Sequence, residues 1–119
     1  MPGFDTTWRG EVLAAWEASS AGELHDGGVY WQTNGPRFET PAEIGLIAAH
    51  ADLVGMTLAS ECIVAGELGL PYAAVCVVDN LANGIEAQPL SPSELERHRE
   101  ANTVHLRDAL DAALPELAR

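Results

Sequence analysis

The chain has 119 residues, 47% hydrophobic and 20% charged, with 18 acidic against 6 basic residues and a formal net charge of −12. That length suits one domain with a real core. With six Arg and no Lys, the charge excludes a generic nucleic-acid binder and argues against docking on anionic lipid, because both need a basic face.

The elements alternate in type. The first stretch, residues 1–11, shows no basic start followed by an apolar run, so no secretory leader and a cytoplasmic location are expected. Residues 8–18 predict a helix, because Trp8, Val12, Ala15 and Trp16 recur at spacings of three and four. Gly22 ends that region, and residues 29–33, rich in β-branched and aromatic side chains, predict a strand. Thr40-Pro41-Ala42-Glu43 combines a capping Thr, a Pro at the first helical position and a Glu at the third. The helix it starts is expected to reach about residue 51.

Residues 52–56 predict a short buried strand, and residues 59–68 a helix stopped by Gly69. Residues 72–78 form a continuous apolar run that suits a strand buried on both faces. The longest unbroken part, Ala73 to Val78, is far short of the roughly 20 residues that cross a bilayer. Residues 79–89 predict a loop. Ser91-Pro92-Ser93-Glu94 repeats the capping signature before a long helix to about residue 114. Its expected apolar stripe is Leu95, Val104, Leu106, Leu110 and Leu114.

Strand, helix, strand, helix, strand, helix implies an α/β fold with parallel strands. Ligands in such sheets bind beyond the carboxyl ends of the strands. Three such ends carry polar residues or Gly: 34–39, 56–57 and 79–83. At the first, Phe38 offers a flat ring and Glu39 a carboxylate, which together suit a planar heterocycle with ring N–H donors. A core Phe and a Glu complementing a helix start fit the same spacing. At the second, the Thr57 hydroxyl and the free N–H groups of the next helix suit an anion. An N-cap Thr beside a core Met56 fits equally. At the third, Asp79 and Asn80 follow a buried strand, where polar groups cost stability unless paired or used. Cys62 and Cys76 sit in apolar stretches and are expected to be buried free thiols. The four His show no zinc-type spacing, so no metal site is expected.

Together these segments resemble the trimeric purine nucleoside phosphorylase and methylthioadenosine phosphorylase family. The resemblance is carried by Gly28-Val29-Tyr30, then Thr33-Asn34-Gly35-Pro36-Arg37-Phe38-Glu39-Thr40-Pro41-Ala42-Glu43, then Ala51-Asp52-Leu53-Val54-Gly55-Met56-Thr57, Ser60-Glu61, Tyr72-Ala73 and Val78-Asp79-Asn80. It implies the C-terminal half of a three-layer αβα fold with a mainly parallel or mixed central sheet, residues 1–119 forming a single partial domain. It further implies phosphorolysis of a purine nucleoside, with inorganic phosphate as co-substrate, no cofactor, and a trimeric or hexameric homo-oligomer.

Carried over by position, the resemblance places Phe38, Glu39, Asp79 and Asn80 on the base, Met56 under the ribose and Thr57 on the phosphate. Asp79 stands where relatives often carry Thr. Asn80 would be catalytic, donating to the purine as it gains electrons on departure. Glu39 with Asn80 suits a 6-oxopurine, as in inosine, guanosine or 5′-methylthioinosine. A methylthioadenosine phosphorylase and a non-catalytic nucleoside-binding remnant are the other readings. Any 5′ pocket is expected near residues 90–94. The family's other half supplies its glycine-rich phosphate loop, so a truncated, late-started or split gene product is expected, inactive alone. Half a sheet also leaves an unpaired edge and an uncovered apolar face, so self-association is expected.

Overall fold

The computed structural model describes residues 3–86 and 91–118. The end of the expected 79–89 loop, and Leu90 of the expected 5′ pocket, lie outside the described residues. Helix α1 spans Thr6–Ala18 and starts where the Asp5 carboxylate accepts from the Trp8 N–H at 2.7 Å. Strand β1 (Tyr30–Gln32) follows, then helix α2 (Pro41–Ile47), strand β2 (Leu53–Gly55), helix α3 (Leu58–Glu67) and helix α4 (Pro92–Leu117).

The predicted capping box of α2 is present: Glu43 N–H donates to the Thr40 hydroxyl at 3.3 Å and Thr40 N–H to the Glu43 carboxylate at 2.7 Å. The helix stops at Ile47, short of the expected 51. His50 and Ala51 both donate to the Ile47 carbonyl at 2.9 Å, which tightens the chain so that Asp52 can bond the Val29 carbonyl. That turn delivers β2 beside β1 in parallel, with Tyr30 opposite Leu53, Trp31 opposite Val54 and Gln32 opposite Gly55.

Residues 72–78 do not form the expected strand buried on both faces; no strand pairing is assigned to them and Val78 is 58% exposed. An apolar run signals double burial only where paired strands and packed layers surround it. The two-stranded sheet β1–β2 does not extend to this segment. Instead Tyr72 accepts from the Asp5 N–H at 2.9 Å through its carbonyl, and its hydroxyl donates to Glu61 at 2.7 Å. Burial and then the Glu61 carboxylate push that phenol up to about 12.

The core lies between α1 and α4. Trp16, Ala21, Ala109 and Ala113 are buried together, flanked by Leu24, Val75, Leu110 and Ala112. One large ring thus fits against two small residues on the facing helix, the interdigitation that close packing requires. The expected α4 stripe is corrected in part: Leu95, Leu106 and Leu110 are half-buried, but Val104 and Leu114 are exposed. Residues 104 and 106 lie about 200° apart on a helix and cannot share a face. Both cysteines are free, as expected; Cys62 is buried, but Cys76 is exposed because its segment lacks covering strands. The radius of gyration is 15.7 Å, against about 13.5 Å for a compact domain of this length.

Candidate ligand site at the end of the first strand

Past the carboxyl end of β1 the chain reaches Gly35, whose φ of +62° belongs to the left-handed region that favours glycine. Glycine is needed here for space as well. A Cβ would come within 2.9 Å of the Met56 sulfur, so the tips of β1 and β2 touch through this pair. The third loop reaches the same place: Asn83 Nδ2 donates to the Glu39 main-chain carbonyl at 2.9 Å, and Gly84 lies against Pro41.

A cavity of about 360 Å³ opens beside these tips, lined by Trp31, Thr33, Asn34, Gly35, Arg37, Glu39, Glu43, Leu46 and Ile47. Trp31 in β1 and Thr33 just past its end both line it, two residues apart along the extended chain. Glu39 is 9% exposed, the one buried charged residue among those described. Its carboxylate accepts from the Thr33 hydroxyl at 2.5 Å. Among the described residues no cation lies within ion-pair distance of it, because Arg37 is engaged by Glu43 at 2.8 Å. That pairing is two-pronged, since Arg37 also donates to the second Glu43 oxygen at 2.9 Å. The Arg37 guanidinium, then the Thr40 N–H and hydroxyl, hold the Glu43 carboxyl down at about 2. The hydrogen bond and charge of Glu43, and then the charge of Glu39, raise Arg37 above its ordinary value.

A buried carboxylate without a cation is costly unless hydrogen-bond donors surround it. Thr33 supplies one such donor, and a cavity on the other side leaves room for more from a ligand. A ring N–H is a donor of that kind. Trp31 gives the cavity an aromatic surface.

The remaining expected site residues stand outside this lining. Phe38 is 53% exposed. Met56 packs against Gly35. Thr57 is the N-cap of α3 but its hydroxyl makes no capping bond. The α3 amino end is instead met by Gln32, whose side-chain oxygen accepts from the Ala59 N–H at 2.5 Å. Asp79 accepts from Asn102 of α4 at 2.9 Å. Asn80 donates its amide to the Leu81 carbonyl at 2.7 Å. Sequence reasoning missed Trp31 and Thr33 as cavity residues and Gln32 as a cap, while Asn34 lay in the strand end 34–39 that it singled out. The one available signal was the two-residue spacing of Trp31 and Thr33 leading to a strand end. Among the described residues no cluster of three or more His, Cys, Asp or Glu gathers as a metal site.

A parallel β-α-β unit with a cavity past its strand end is the arrangement in which α/β proteins place their ligands. Residues 1–115 match the family model of the phosphorylase superfamily, and the chain belongs to that family. It is 46% identical over 101 residues to a probable 6-oxopurine nucleoside phosphorylase of Archaeoglobus fulgidus, covering 85% of this chain and 42% of the relative. It is 44% identical over 111 residues to a protein of the same description from Moorella thermoacetica, covering 92% and 43%. A probable S-methyl-5'-thioinosine phosphorylase of Methanothermobacter thermautotrophicus is 40% identical over 100 residues, covering 83% and 36%. The chain therefore spans about two fifths of the length of these relatives. No helix among the described residues is long and apolar enough to cross a membrane.

Proposed function

We propose that this chain is the base-recognising part of a purine nucleoside phosphorylase acting on 6-oxopurine nucleosides. The reaction is phosphorolysis of inosine, guanosine or 5′-methylthioinosine, giving the free purine and ribose or methylthioribose 1-phosphate. The observation that carries this reading is Glu39, a buried carboxylate with no cation at ion-pair distance among the described residues, facing a cavity with an aromatic wall. A 6-oxopurine presents a ring N–H that such a carboxylate accepts, whereas neutral adenine presents an unprotonated ring nitrogen at the same edge. The names of the relatives from Archaeoglobus and Moorella support the same base class.

In this reading Phe38 covers the base, Asp79 borders it, Met56 packs under the ribose and Thr57 bonds the phosphate. Asn80 gives up its contact with the Leu81 carbonyl and donates to the purine as the glycosidic bond breaks. A donor aimed where charge develops stabilises the transition state beyond the ground state. One such donor is worth about 2.7–4 kcal/mol in comparable sites. The working enzyme is a cytoplasmic homo-oligomer, a trimer or hexamer, in purine salvage, and turnover needs the part of the fold that supplies phosphate contacts.

The test is binding of free hypoxanthine and adenine to the 119-residue chain, followed by NMR and calorimetry. Hypoxanthine is expected to shift Trp31, Thr33 and Asn34. Glu39→Gln should weaken it by about tenfold or more, the loss expected for a charge-assisted hydrogen bond. Equal affinity for adenine, or an indifferent Glu39→Gln, would refute the assignment. Phosphate-dependent release of hypoxanthine from inosine should be negligible for this chain alone.

A further inference from the structure

The segment ending in Asp79 and Asn80 has no strand pairing to hold it. What fixes its end is α4. Asn102 Nδ2 donates to Asp79 Oδ1 at 2.9 Å and lies 3.3 Å from the Val78 carbonyl. His98 Nδ1 lies 3.0 Å from the Asp79 carbonyl. His98 and Asn102 are four residues apart, so they stand on one face of the helix, one turn from each other. Farther along, Ala109 and Ala113 of the same helix are packed on Trp16. The tip is therefore tied, through two side chains, to the best-packed part of the protein. Its other end is tied by Asn83 to the backbone of Glu39.

We propose that Asn102 and His98 are positioning residues that clamp the Asp79–Asn80 tip to α4, with the Asp79 carboxylate as the link that Asn102 grips. The consequence for the base rests on the purine reading above; the clamp itself does not. A carbonyl oxygen can only accept, so the hydrogen of the His98–Asp79 bond sits on Nδ1. Asp79 thus has a use that does not require it to touch the purine. It presents one side chain to the scaffold while its neighbour Asn80 keeps a side-chain amide for the ligand.

The test uses the isotope-labelled 119-residue chain. Ring nitrogen shifts of His98 at a pH where it is neutral should report the Nδ1-protonated tautomer; an Nε2-protonated ring overturns its part in the clamp. Asn102→Ala and Asp79→Ala should both lower backbone order over residues 78–82, measured by nitrogen relaxation, and release the His98 tautomer. Asp79→Asn retains an oxygen that Asn102 can grip, and should restore order and tautomer. A generic loss of fold would not be rescued by so small a change. Unaltered order in Asn102→Ala, or Asp79→Asn behaving like Asp79→Ala, overturns the proposal. If Asn102→Ala unfolds, judged by Trp16 fluorescence, the Asp79→Ala and Asp79→Asn pair decides. Hypoxanthine affinity should fall about tenfold in Asn102→Ala, the loss of roughly one well-made hydrogen bond. If the unaltered chain binds no hypoxanthine, the purine reading falls, and the relaxation and tautomer data still decide the clamp.

Discussion

Asn83 donates its side-chain amide to the main-chain carbonyl of Glu39 at 2.9 Å, joining positions 44 apart in sequence. Removing it leaves a partly buried carbonyl unpaired, which costs about 1–3 kcal/mol. Asn83→Ala should lower the urea midpoint by a corresponding amount and loosen the third loop from the first strand tip. An unchanged midpoint would show the bond to be decorative.

Trp16 is buried, and its ring nitrogen donates to the Gly22 carbonyl at 3.1 Å. Trp16→Ala should cost about 3–5 kcal/mol, the usual range for emptying an aromatic site. That is comparable with the whole stability of many small domains, so loss of cooperative unfolding is expected. Trp16→Phe keeps a ring and gives up the hydrogen bond, and about 1 kcal/mol should suffice for that loss. Similar midpoints for Trp16→Ala and the unaltered chain would remove Trp16 from the core.

Glu43 titrates at about 2 because it is bonded by Arg37 and then by Thr40. Its unfolded value is near about 4.3. A carboxyl depressed on folding contributes stability that is fully present above the unfolded value and is lost as the pH falls through the folded one. The α2 start should therefore weaken between about pH 4.3 and pH 2, and Glu43→Gln should flatten that dependence. A carboxyl carbon shift with a midpoint near about 4.3 would contradict the bonding seen.

Val78, Leu68 and Ile63 are exposed, on an unpaired segment and on the flank and end of α3. Apolar surface and unpaired backbone of this kind drive association. Sedimentation should show mass rising with concentration. A concentration-independent monomer that unfolds sharply would overturn this expectation.

The local signals were readable because they act within a few residues. Thr40, Pro41 and Glu43 fix where α2 begins whatever surrounds them, since the cap bonds close within one turn. Trp8, Val12, Ala15 and Trp16 mark the inner face of α1 by spacing alone. The 72–78 run misled for the opposite reason. Its apolar side chains are a property of the chain, but a strand is a property of the pair, and β1 and β2 do not extend to it. At the site, Glu39 was visible as a carboxylate at a strand end. That Arg37 would pair with Glu43 and stay outside ion-pair distance of Glu39 was not.

The amino-acid order by itself determined the alternation of helices and strands as far as α3, the capping box of α2, the acidic composition and the string around Gly35 to Glu43 that carries the family likeness. Those depend on backbone preference and on neighbours close in sequence. The fold alone decided which distant groups meet: Gln32 at the start of α3, Asn83 at the Glu39 backbone, and Asn102 at Asp79. Hydrogen bonds across such separations follow from how the helices and the β1–β2 unit pack, and no local pattern encodes them.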